Sequence, residues 1–171
     1  MPDKKVSSGN NRQFDILAYS IQENSQYHIE VGVTHRENWC PAIDDLEQSF
    51  EKKFFGKPPE REGANKGNTD NEKGKSYFPS IIKTYEEIGF DPSKIHRVWV
   101  CWMLKGEEDN TKPIFKKFRP YQPNEEFCIE ILSLRDYVLP QLLEKIGTSN
   151  YDDEVLRTLG FMKQKEQQTK K

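Results

Sequence analysis

No stretch of this 171-residue chain approaches the roughly 18 consecutive apolar residues that a membrane-spanning helix needs, so no membrane partner is expected. The first 12 residues (MPDKKVSSGNNR) lack the apolar segment of a secretory signal and read as a disordered leader. Cysteine is scarce. Three residues without a CxxC spacing do not make a disulfide framework, which points to a reducing compartment and a cytoplasmic location. Neither sign of charge dominates: 26 Lys and Arg against 28 Asp and Glu exclude a histone-like polycation. GxGxxG, GxxxxGK[ST] and GxSxG are all absent, leaving nucleotide-fold and hydrolase-elbow readings without a motif. What the chain does have is 12% aromatics, too many for a disordered polymer, and a length suited to one domain.

Residues 14–21 (FDILAYSI) form a mostly apolar run, and residues 27–35 (YHIEVGVTH) alternate with period two. The short polar segment between them predicts an antiparallel hairpin. Residues 44–55 carry an apolar stripe with Ile43, Leu46, Phe50 and Phe54 at helical spacing, stopped by Gly56. A second helix is predicted over 77–88, and a strand buried on both faces over 96–104 (HRVWVCWML). A strand at 127–132 (FCIEIL) and helices at 134–146 and 152–162 follow. Residues 57–75 and 105–124 read as charged loops, and 163–171 as a basic tail.

Two carboxylates interrupt the hairpin. Asp15 lies in the first apolar run and Glu30 in the middle of the second. A carboxylate on a buried strand face needs a partner, and two brought together are relieved by a hard divalent cation. The competing reading has Glu30 facing solvent on a one-sided sheet and Asp15 merely starting a strand. Asp15, followed after a short turn by Ile29-Glu30-Val31-Gly32, resembles the core of the PD-(D/E)XK nuclease superfamily, which includes restriction enzymes and Holliday-junction resolvases. The resemblance covers residues 14–146, and the following helix, buried strand and strand–helix pair fit that family's α-β-β-β-α-β layout. It implies that Asp15 and Glu30 hold Mg²⁺ (or Mn²⁺) together with the Val31 carbonyl, for hydrolysis of DNA phosphodiesters.

Two departures from the family pattern stand out. The family places a Lys two residues after the Glu, where this chain has Gly32, and it begins with an acidic helix that residues 1–13 are too short and polar to supply. In some members the Lys comes from the next helix. Here Lys53 falls between Leu46 and Phe50 on the sheet-facing stripe, whereas Lys52 points away. The alternative is that Lys53 snorkels to water.

Other candidates are bland. His35 and Cys40 lack a second pair of zinc ligands. Cys101, Cys128, Trp99 and Trp102 read as core, and Trp39 as a hydrophobic lid or a base-stacking ring. Basic residues concentrate in 52–75 and in 112–119 (KPIFKKFR), which nominates Lys57, Lys112, Lys116, Lys117 and Arg119 for the phosphate backbone of DNA. The expectation is a single α/β domain over 13–162, restriction-endonuclease-like, with a mixed central sheet flanked by helices and the first core helix missing. Its function would be that of a Mg-dependent endodeoxyribonuclease, acting as a homodimer or part of a larger complex. The alternatives are a catalytically inactive nuclease-fold module that binds nucleic acid or protein, and an unrelated α/β scaffold without a site.

Overall fold

The computed structural model describes residues 14–34, 36–56, 77–147 and 152–169. A five-stranded mixed sheet flanked by helices forms its centre, with strand order β1-β2-β3-β5-β4. Strands β1 (Ile16–Ser20) and β2 (Ser25–Gly32) form the predicted antiparallel hairpin, in which Ile16 pairs with Ile29 and Leu17 with His28. Asn24 sits in the turn at φ 52°, a left-handed conformation that Asn tolerates, and its side chain accepts a 2.6 Å hydrogen bond from Tyr19.

A 3₁₀ turn at Asp44–Leu46 leads into α1 (Glu47–Lys53), and α2 spans Phe78–Glu87. Both lie in the crossover from β2 to β3 (Ile95–Cys101), which pairs parallel to β2 with His28 beside Arg97 and Glu30 beside Trp99. On α1 the stripe of Leu46, Phe50 and Phe54 is buried against Trp99, Ile129 and Ile131 of the sheet. On α2 the buried residues Ile81 and Tyr85 pack with Phe14, Leu17 and Ile95. Gly89, at φ +81°, ends the turn that follows α2, where a side chain would be strained.

Strand β4 (Ile114–Phe118) corrects the expected loop over 105–124. It pairs antiparallel with β5 (Phe127–Ser133) at the sheet edge, with Ile114 opposite Ile131 and Lys116 opposite Ile129. Lys116 therefore occupies an inward position, which hides the alternation from a hydrophobicity pattern. The residue is tolerated there because its amine reaches out to Asp44 at 2.8 Å and Glu47 at 3.4 Å.

A π-helical turn at Leu134–Val138 continues into α3 (Leu139–Lys145), and α4 runs from Glu154 to Thr169, beyond the predicted helix end. The expected basic tail is thus largely helical, and Lys163 donates hydrogen bonds to the carbonyls of Leu143 and Ile146 at the end of α3. Two further expectations are corrected. Cys128 is exposed, because Ile129 and Ile131 take the covered face of β5, and Trp39 is 67% exposed and does not form a lid. No helix among the described residues is long and apolar enough to cross a membrane.

Candidate active site

The helix-covered face of β2 is its polar one. His28 and Glu30 are fully buried, whereas Val31, on the opposite face, is 41% exposed. The solvent-facing reading of Glu30 is therefore wrong, and its charge must be met inside the protein. Carried one residue back from β1, the hairpin register sets Asp15 opposite Glu30 on that same face. Asp15 Oδ2 accepts a 2.8 Å hydrogen bond from the Val31 N–H.

Lys53, the last residue of α1, closes the group. Its Nζ lies 2.6 Å from Glu30 Oε2 and 3.6 Å from Asp15 Oδ1. Asp15, Glu30 and Lys53, separated by up to 38 positions in the chain, thus share one cluster. Asp15 and Lys53 each keep about a third of their side-chain surface in solvent, so the cluster has a buried floor and an open mouth. Burial disfavours the ammonium, but the Glu30 hydrogen bond and charge, with Asp15, outweigh it and raise the Lys53 pKa. Lys53 is a cation at neutral pH; it can donate hydrogen bonds and stabilise negative charge, and it cannot act as a base.

Position 32 of β2 has no room for a side chain. A Cβ placed there would overlap Cζ2 of the Trp99 ring. That ring is held edge-on by Phe50 and Phe54 at 5.8 and 6.3 Å, so it cannot yield easily. The space that a lysine at position 32 would need is filled by indole.

Sequence reasoning missed two residues behind Glu30. His28 Nε2 lies 2.8 Å from Glu30 Oε1, and His28 Nδ1 lies 2.6 Å from the Tyr85 hydroxyl oxygen. The same-face spacing of His28 and Glu30 is visible in the sequence; Tyr85, 57 residues further on, is not. Burial lowers the His28 pKa, and the charges of Arg97 and Lys53 add to this against the opposing pull of Glu30. Arg97 is itself buried over the rings of Phe127 and Phe55, without a carboxylate partner among the described residues. Burial also raises the Tyr85 pKa, so the phenol keeps its proton.

A buried neutral histidine makes stability depend on pH. Below the ordinary value of 6.5 the unfolded chain takes up a proton that folded His28 refuses, so stability falls with acid. Between pH 6.5 and 5.5 the loss should approach about 1 kcal/mol, as read from urea denaturation. The variant His28→Gln should lack this part of the slope, and an unchanged slope would mean that His28 is protonated in the fold.

The nominated basic residues do not form a free patch. Lys112 pairs with Asp109 at 3.1 Å, Lys117 with Glu126 at 3.0 Å, and Lys116 with Asp44 and Glu47. Arg119 is exposed and has no carboxylate partner among the described residues. Lys57 and His35 lie outside the described residues. Cys40 is buried beside the carbonyls of Thr34 and Arg36, and no group of three or more His, Cys, Asp or Glu among the described residues is arranged to hold a metal. Burial pushes the Cys101 thiol up to about 12, which leaves it inert. Trp39 carries the Arg36 guanidinium 4.7 Å above its ring. Comparison of the chain with family models, with curated proteins and with solved structures gives no match.

Proposed function

We propose that the chain is a metal-dependent DNA endonuclease of the PD-(D/E)XK type whose lysine has moved from β2 to α1. The observation that carries this reading is the convergence of Asp15, Glu30 and Lys53 at the end of the hairpin. The donor set suits a hard cation: Asp15 Oδ1 and Glu30 Oε2 are both directed at one point, now taken by the ammonium, and lie at most about 6 Å apart. Mg²⁺ needs only one or two protein carboxylates, so a pair without a third acid suffices. In an extended strand the N–H and C=O of one residue point to the same edge, which directs the Val31 carbonyl toward Asp15 as a third oxygen.

Bound there, Mg²⁺ or Mn²⁺ would supply Lewis-acid stabilisation and a water of lowered pKa. Glu30 holds its end of the site rigidly because it is buried, and Asp15 completes the open side. Lys53, permanently charged, orients the attacking water and stabilises charge on the phosphate oxygens. Contact with the DNA backbone falls to Arg119 and to the exposed Arg36–Trp39 pair, whose ring can stack on a base.

Purified protein should convert supercoiled plasmid to nicked or linear forms with Mg²⁺ or Mn²⁺. Asp15→Asn keeps an oxygen for the Val31 N–H, so the fold should persist while cleavage drops by more than roughly 100-fold. One observation favours a second reading: the 2.6 Å ion pair between Lys53 and Glu30 satisfies the buried charge without any metal, as a non-cutting relative would require. Retarded DNA with no cleavage in any divalent metal would decide for that binding module.

A further inference from the structure

Behind the mouth of the site lies a buried chain of three polar side chains, Tyr85, His28 and Glu30, each completely removed from solvent. We propose that His28, pinned by Tyr85, is a positioning residue that turns the Glu30 carboxylate so that only Oε2 faces the Asp15–Lys53 mouth. The inference rests on the nuclease reading above, since it concerns which atom of Glu30 is offered to a cation.

For a neutral imidazole the geometry allows one assignment of protons. A carboxylate only accepts hydrogen bonds, so the 2.8 Å contact to Oε1 requires a hydrogen on His28 Nε2. A neutral imidazole carries one N–H, so Nδ1 is then the acceptor and the Tyr85 hydroxyl, 2.6 Å away, donates to it. Glu30 thus selects the Nε2–H tautomer, and Tyr85 holds the ring in place by donating to the other nitrogen, so that Oε1 stays occupied. The rings are held as well as the protons. His28 packs edge-on against Phe14 at 4.7 Å and Phe54 at 4.9 Å, and Tyr85 stacks on Phe14 at 5.5 Å. With the imidazole locked, rotation of the Glu30 carboxylate would leave Nε2–H unpaired in a dry interior. Oε2 therefore stays at the mouth, 2.6 Å from Lys53.

The test is Tyr85→Phe, which keeps the ring and removes only the donor. Three measurements are made on the full chain: imidazole ¹⁵N shifts with labelled histidine, calorimetric titration with Mn²⁺, and steady-state plasmid cleavage. The chain has only three histidines, so His28 can be assigned by its loss in His28→Gln. The wild type should show His28 as the Nε2–H tautomer; Tyr85→Phe should keep that tautomer, because Glu30 still accepts from it, and should shift the Nδ1 resonance that has lost its hydrogen bond. Mn²⁺ affinity and kcat should then fall by roughly 10- to 100-fold, the cost of losing an outer-shell partner, while KM for DNA stays put. A merely structural Tyr85 would lower the melting temperature and leave metal affinity and kcat alone, which would overturn the proposal. A wild-type His28 found as imidazolium or as the Nδ1–H tautomer would overturn it whether or not DNA is cut. If wild type cleaves and Tyr85→Phe matches it, positioning fails and the nuclease reading stands; if wild type neither binds Mn²⁺ nor cleaves, both fall.

Discussion

Replacing Lys53 by Met should lower cleavage by roughly 100- to 1,000-fold, the usual cost of removing one preorganised donor from a site of developing charge. It should also destabilise the fold. Glu30 is fully buried and Lys53 is the cation nearest to it, at 2.6 Å, so the substitution strands a carboxylate in the interior. Breaking a fully buried pair costs about 3–5 kcal/mol, but Lys53 is 34% exposed and water can enter, so about 1–3 kcal/mol is expected.

The double variant Lys53→Met/Glu30→Gln should recover most of the stability and none of the activity. Neither partner of that ion pair is left charged, and the Gln carbonyl can still accept from His28. Lys52→Met should be nearly silent in both assays, because that side chain is exposed on the far side of α1. Equal losses from Lys52→Met and Lys53→Met, by denaturation and plasmid assay, would remove Lys53 from the site.

A lysine introduced at position 32, where the PD-(D/E)XK pattern has one, should not be accommodated. Gly32→Lys is expected to destabilise the chain by about 3 kcal/mol or more, at the upper end of overpacking costs, and should not rescue cleavage in Lys53→Met. The obstacle is space and not backbone strain: the Cβ alone overlaps Trp99, whose ring cannot retreat past Phe50 and Phe54. Even Gly32→Ala should cost about 1–3 kcal/mol. Trimming the ring in a Gly32→Ala/Trp99→Leu double variant should give less than the sum of the two single losses, since the two sites share one volume. A Gly32→Ala chain within about 0.5 kcal/mol of wild type in urea would show that the indole moves freely. Position 32 would then offer no steric obstacle to a lysine.

Much of the site was legible in the sequence because it rests on local periodicity. The strand alternation placed Asp15 and Glu30 on neighbouring strands of a hairpin, and the 100° helical step put Lys53, not Lys52, on the sheet-facing side of α1. Both are properties of a few consecutive residues and survive any choice of tertiary partner. The missing side chain at Gly32 was equally plain.

Which face of β2 is the interior was decided only by the tertiary structure. Alternation separates His28 and Glu30 from Tyr27, Ile29 and Val31, but a one-residue choice of parity exchanges inside for outside. Hydrophobicity alone favours the wrong side. The side is chosen by where the α1–α2 crossover lies when it joins β2 to the parallel β3, and it lies over His28 and Glu30. From that placement follow the buried carboxylate, the indole that fills position 32 and the Tyr85 contact to His28. The same reason applies at the far edge, where the inward Lys116 of β4 is balanced by Asp44 and Glu47, 72 and 69 positions earlier. Periodicity belongs to one segment; burial belongs to a pair of them, and the pairs that build this site lie tens of residues apart.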